Sequence, residues 1–159
     1  MIGPFVTSYA DILYRPEAVR ELLAESDAEL RLVMDTDWRS RYAHRSEHPE
    51  SDGEKMTLGA GGAVTRIHRD IPPAQAAGEF IGLAYYGRHG AERLRAHYHR
   101  IRGGAPWGGP ALDKAYLIHL FQEMVERGER FTAVPIDGEY IEVDTTEDHA
   151  YAEARWGAR

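Results

Sequence analysis

The chain has 159 residues, 43% of them hydrophobic, which suits one globular domain with a real core and excludes a disordered chain. A net charge of −7, from 26 acidic against 19 basic side chains, argues against a nucleic-acid-binding surface, and the lack of cysteine excludes disulfides and thiolate zinc sites. No apolar run nears the roughly 20 residues of a membrane span, and the N-terminus has no basic stretch of a signal peptide, so no membrane association and a cytoplasmic protein are expected.

In chain order, residues 5–13, "FVTSYADIL", are apolar and β-branched and predict one buried strand with Asp11 near its end. Arg15-Pro16 opens a helix through "PEAVRELLAES", with proline at its first position. "ELRLVMD" is a second strand, so the chain begins strand, helix, strand, the signature of an α/β sheet. "TDWRSRYAHRSEHPESDGE" reads as a polar loop with one helical turn. "KMTLGAGGAVTRI" predicts a hairpin turning at "GAGG", and "EFIGLAYY" a further strand. "GRHGAERLRAHYHRI" is an amphipathic helix, and "RGGAPWGGPALD" a loop rich in glycine and proline. "KAYLIHLFQEMVERG" predicts a helix stopped by Gly128. "RFTAVPID" and "EYIEVD" are strands, and "TTEDHAYAEARWG" a helix capped by Thr145 or Thr146.

Carboxylates concentrate near the end. "IDGEYIEVDTTED", residues 136–148, holds six in thirteen residues. Glu142 and Asp144 alternate with Ile141 and Val143, so on a strand both point to one face. A solvated edge would carry such acids, and so would a site for a metal ion or a cationic ligand. Asp11 and Asp144 both sit at strand ends, where open α/β sheets bind ligands. Each alone reads as a turn brace or a helix-start acid; together they form a pair that Mg²⁺ could use with phosphate and water oxygens. Trp38, among Asp35, Asp37, Arg39 and Arg41, is expected to be a half-exposed lid or stacking surface. Tyr116 reads either as a helix-face aromatic or, with Glu142, as part of a cage for an ammonium group. Lys55 could neutralise a phosphate or remain a surface charge. The histidines show no His-Glu-x-x-His spacing, which argues against zinc, and "GAGG" lacks the Lys-Ser/Thr of a phosphate loop.

The ordered set "SYADILYRPEAVRELL", "LVMDTDWRSRY", "DGEK", "GEFIGLA", "KAYLIHLFQEM" and "AVPIDGEYIEVDTTED" resembles the nucleotidyltransferases that activate phosphocholine or 2-aminoethylphosphonate with CTP. The nearest likeness is to cytidylyltransferases found beside, or fused to, phosphoenolpyruvate mutases. The resemblance covers nearly the whole chain and implies a single domain over residues 1–159. Its fold would be three-layer α/β, with a mixed, mostly parallel, Rossmann-like sheet of the GT-A kind. It implies Mg²⁺ on Asp11 and Asp144, Lys55 facing the substrate, and Trp38, Tyr116 and Glu142 around an amine or quaternary ammonium. Glu79, in "GEFIGL", lies on a motif strand without an assigned role. The implied activity is transfer of CMP from CTP to an amino- or choline-bearing phosphate or phosphonate. The family's glycine-rich loop, Leu-Ala-Ala-Gly-x-Gly-x-Arg, does not occur in the sequence. A partner subunit supplying the nucleotide half, or a homo-oligomer covering an open sheet edge, is therefore expected. The alternative is a non-catalytic module for the same small ligands, or an inactive truncated homologue.

Overall fold

The computed structural model describes residues 3–43 and 45–157. Its organising strand is the fully internal "GEFIGLAYY". Eight strands form among the described residues: β1 Phe5–Ser8, β2 Ile12–Tyr14, β3 Leu30–Asp35, β4 Lys55–Leu58, β5 Val64–His68, β6 Gly78–Tyr86, β7 Thr132–Ile136 and β8 Tyr140–Glu142. The helices are α1 Pro16–Leu23, α2 Trp38–Tyr42, α3 Arg88–Arg102, α4 Leu117–Glu126 and α5 Thr146–Trp156.

The main sheet runs β5-β4-β6-β3-β7, and β2 with β8 forms a separate ribbon. β3 lies along one edge of β6, from Leu30 opposite Tyr86 to Asp35 opposite Glu79. The other edge of β6 is shared: β4 pairs at Gly78 and Glu79, and β1 at Leu83 to Tyr86. Every pairing in the main sheet is antiparallel except β3 with β7. The expected mostly parallel sheet is thus corrected. β6 runs against both β1 and β3, so the opening strand, helix, strand is not a pair of adjacent parallel strands.

The expected single strand over residues 5–13 is also corrected. It breaks at a bend into β1, largely exposed, and β2, which leaves the main sheet for β8. Tyr9 occupies the break, its ring against Gly82, where φ is +81° and a Cβ would lie 2.3 Å from the ring. Only glycine meets both demands there.

β3 is buried along its whole length because both sheet faces are covered. Leu30, Leu32 and Met34 join the core under α3 and α4, with Phe80, Phe121 and Phe131. Val33, on the other face, packs with Ile81, Leu83, Tyr140 and the α1 residues Ala18 and Leu22. α4 ends as expected: Gly128, at φ +89°, donates to the Val125 carbonyl at 2.9 Å while Glu129 N donates to Met124 O. α5 starts on a reciprocal cap between Thr145 and Asp148. No helix among the described residues is long and apolar enough to cross a membrane.

Candidate functional site

The β2–β8 ribbon builds the site. Ile12 lies opposite Glu142 and Leu13 opposite Ile141, and beyond that register Val143 N donates to Asp11 O at 2.8 Å. Glu142, the last residue of β8, is half-buried, and Asp144 follows at the surface. The alternation of the sequence is realised, with Ile141 buried beneath.

Burial raises the Glu142 carboxyl to about 7, and the nearby charges of Asp144, Glu79, Asp11 and Glu54 add to the shift. No side-chain hydrogen bond or ion pair joins that carboxyl to another described residue. It is an acid in a negative field, a place that favours a proton or a cation.

A third residue completes the cluster. His48 arrives on the loop between α2 and β4, and ligand atoms of His48, Glu142 and Asp144 all lie within 4.8 Å of one another. The loop is fastened from behind. Arg45 donates to Asp148 Oδ1 at 2.5 Å and to the Glu142 carbonyl at 2.7 Å, and Ser46 N donates to Glu147 at 2.8 Å. Tyr42 meets the His48 ring edge-on at 5.9 Å.

Beneath lies a buried charge network. Arg41 bridges Asp35 and Glu79, and Tyr42 OH donates to Glu79 at 2.6 Å. Asp35 also accepts from Asp37 N at 2.9 Å and Gly138 N at 2.8 Å. Burial works against the charge on Arg41, but Glu79 and Asp35 outweigh it and raise its pKa. The network ties α2, β3, β6 and the β7–β8 turn together under the site.

A second arm runs through Tyr9, whose hydroxyl donates to Glu54 Oε2 at 3.0 Å. Glu54 is raised to about 7, chiefly by burial, while Tyr9 and Arg69 pull the other way. Arg69 stands 3.5 Å from Glu54 and lies over the Tyr116 ring at 4.3 Å.

The residues expected from sequence fall into place unequally. Glu142 and Asp144 converge. Asp11 is exposed on the β1–β2 bend, close enough to act on Glu142 but outside the three-residue cluster. Trp38 is 3% exposed and meets Tyr42 edge-on at 5.7 Å, which corrects the expected half-exposed lid. It supports Tyr42 from below. Tyr116 is 53% exposed and caps α4, with Arg69 over its ring. Lys55 is buried, and its Nζ donates to the carbonyls of Gly53, Glu50 and Ser51 at 2.9, 3.2 and 3.2 Å. Its ammonium group is spent on shaping the turn before β4, not on the cleft. His48, Glu54, Tyr9 and Arg69 were not singled out by spacing, because they come together only through the fold.

No family model matches the chain. The chain is 24% identical over 143 residues to the CTP:phosphoglutamine cytidylyltransferase of Campylobacter jejuni, covering 90% of this chain and 56% of that protein. It superposes on the inositol-1-phosphate CTP transferase of T. maritima with a TM-score of 0.66 at 16% identity, covering 93% of this chain. Its fold is that of the nucleotidyltransferases. A nucleoside-diphosphate-sugar pyrophosphorylase of Vibrio cholerae RC9 agrees, with a TM-score of 0.58 at 12% identity and 94% of this chain covered. The chain spans 52% of the first of these structures and 55% of the second, little more than half of each nucleotidyltransferase it matches.

Proposed function

We propose that this chain provides the metal- and acceptor-binding half of a cytidylyltransferase. It acts in the transfer of CMP from CTP to the phosphate or phosphonate of a small amino- or choline-bearing acceptor. The observation that carries this reading is the convergence of Glu142 and Asp144 at the end of β8, within a nucleotidyltransferase fold. The Campylobacter relative, named for CTP and a phosphorylated amino acid amide, supports the nucleotide and the acceptor class.

In the reaction an acceptor phosphate oxygen attacks the α-phosphorus of CTP, the bond to the β-phosphate bridging oxygen breaks, and pyrophosphate leaves with that electron pair. The donors at the site suit a divalent cation such as Mg²⁺, since two carboxylates come together there and no lysine or arginine among the described residues pairs with either. A cation held there would offset charge on the phosphates. Asp144 and Glu142 would hold it, and Asp11 adds negative potential from the neighbouring bend. The open side of Glu142 receives the acceptor's ammonium group, with Tyr9 nearby and Tyr116 at the far end of the Arg69–Glu54 arm. Positioning and charge are the chief contributions of the protein in such a transfer.

A nucleotide-binding segment, on the same polypeptide or on another, completes the site in this reading. The edge strand β1, with Phe5 36% and Val6 39% exposed, offers an apolar margin where one could pack. Pyrophosphate release is the test, with CTP, Mg²⁺, 2-aminoethylphosphonate or phosphocholine, and the chain together with a nucleotide-binding segment. Asp144→Asn is expected to lower turnover by about 10²-fold or more. Full turnover in that variant would remove Asp144 from the chemistry and overturn the reading.

A further inference from the structure

His48 stands in the cleft where no motif placed a ligand. The residue is 9% exposed, and its Nδ1 is buried without a hydrogen-bond partner among the described residues. That nitrogen points at the acid pair, 3.6 Å from Asp144 Oδ2. On the other side of the ring, Asp52 Oδ2 lies 3.9 Å from Nε2. A proton on Nε2 then faces a carboxylate, and the Nδ1 lone pair is left directed at Glu142 and Asp144. At that separation Asp52 makes no hydrogen bond to the ring, but its charge favours the proton on Nε2 and so the free lone pair on Nδ1.

The separations agree. One ligand atom from each of the three residues lies within 4.8 Å of the others, a span that a cation about 2.0–2.6 Å from each can bridge with small side-chain rotations. The arrangement is also held in place beforehand, through Arg45 on one side of His48 and the Tyr42 ring beneath it.

We propose that His48, Glu142 and Asp144 form a mixed imidazole–carboxylate site that prefers a first-row transition cation, such as Mn²⁺, to Mg²⁺. The inference rests on the reading of this cleft as the metal-binding half of a nucleotidyltransferase and adds a ligand and a selectivity to it. Mg²⁺ takes oxygen donors and sheds its water reluctantly, whereas imidazole suits the transition metals. Two carboxylates alone would serve Mg²⁺; a buried imidazole nitrogen turned into the same space tips the choice.

The test is a titration of the full chain with Mn²⁺ followed by electron paramagnetic resonance, with Mg²⁺ as competitor. Spin-echo modulation reports whether an imidazole nitrogen is bound directly. The expected result is nitrogen modulation in the wild type and Mn²⁺ bound at least about tenfold more tightly than Mg²⁺. In His48→Gln the modulation disappears and Mn²⁺ affinity falls about tenfold, while Mg²⁺ affinity changes little. Should that variant fail to fold, the wild-type modulation decides on its own, and Asp144→Asn, which keeps His48, is expected to weaken both cations. Mn²⁺ held without nitrogen modulation, at an affinity like that of Mg²⁺, would overturn the role of His48 and leave the carboxylate cation site standing. Failure of both cations to bind would overturn both.

Discussion

Glu142 binds its proton more tightly in the folded chain than its usual value of 4.5 allows, because burial and four neighbouring acids lift it to about 7. The consequence for stability has a definite sign. Below the unfolded pKa both states hold the proton and nothing is lost. As pH climbs from 4.5 through about 7 the folded state must give the proton up at a cost, so stability falls. Glu142→Gln removes that cost. Melting temperatures measured across this range without metal should show the variant gaining on the wild type as pH rises, and levelling off beyond it. A constant difference would mean that the carboxyl is not strained. The acids at 142 and 144 were legible in the sequence because a strand's alternation is visible there. His48 was not, since a loop and a strand far apart in the chain had to be brought together first. Trp38 misled for a physical reason: its charged neighbours Asp35 and Arg41 are themselves buried, in an ion pair, so polar company did not signal exposure.

At the scale of elements, α2 depends on charge more than on length. It has five residues, and its side-chain oxygen cap is missing. What fixes it is Arg41 reaching down to Asp35 on β3 and Glu79 on β6, with its guanidinium over the Tyr140 ring at 4.3 Å. Removing the arginine leaves two buried carboxylates facing each other. Arg41→Ala should therefore destabilise the chain by about 3–5 kcal/mol, measured by urea unfolding. A loss well under about 1 kcal/mol would show that water replaces the guanidinium easily. Most element types were readable: the proline start of α1, the glycine stop of α4, the hairpin at "GAGG" and the capped start of α5 all use strong local signals. The opening strand was not. Its apolar run gives no local sign of a break, and the break at Tyr9 is set by a glycine on β6, far along the chain.

For the whole molecule, strand order and direction were the hidden quantities. Sequence shows that strands and helices alternate, and that pattern favours parallel neighbours. β6 reverses the expectation by lying between β1 and β3 and running against both. Among the described residues only the β3–β7 pair keeps the parallel form. The result places the end of β8 and the β1–β2 bend side by side, which is how Asp11, Glu142 and Asp144 share one field. The central claim is that this field serves a metal and a cationic acceptor together. Isothermal titration of the chain with 2-aminoethylphosphonate, with and without Mg²⁺, tests it most directly, beside the same titration of Glu142→Gln. The account predicts metal-dependent binding in the wild type, weakened at least about tenfold in the variant. Binding of equal strength in both proteins, or the absence of binding in the wild type, would contradict it.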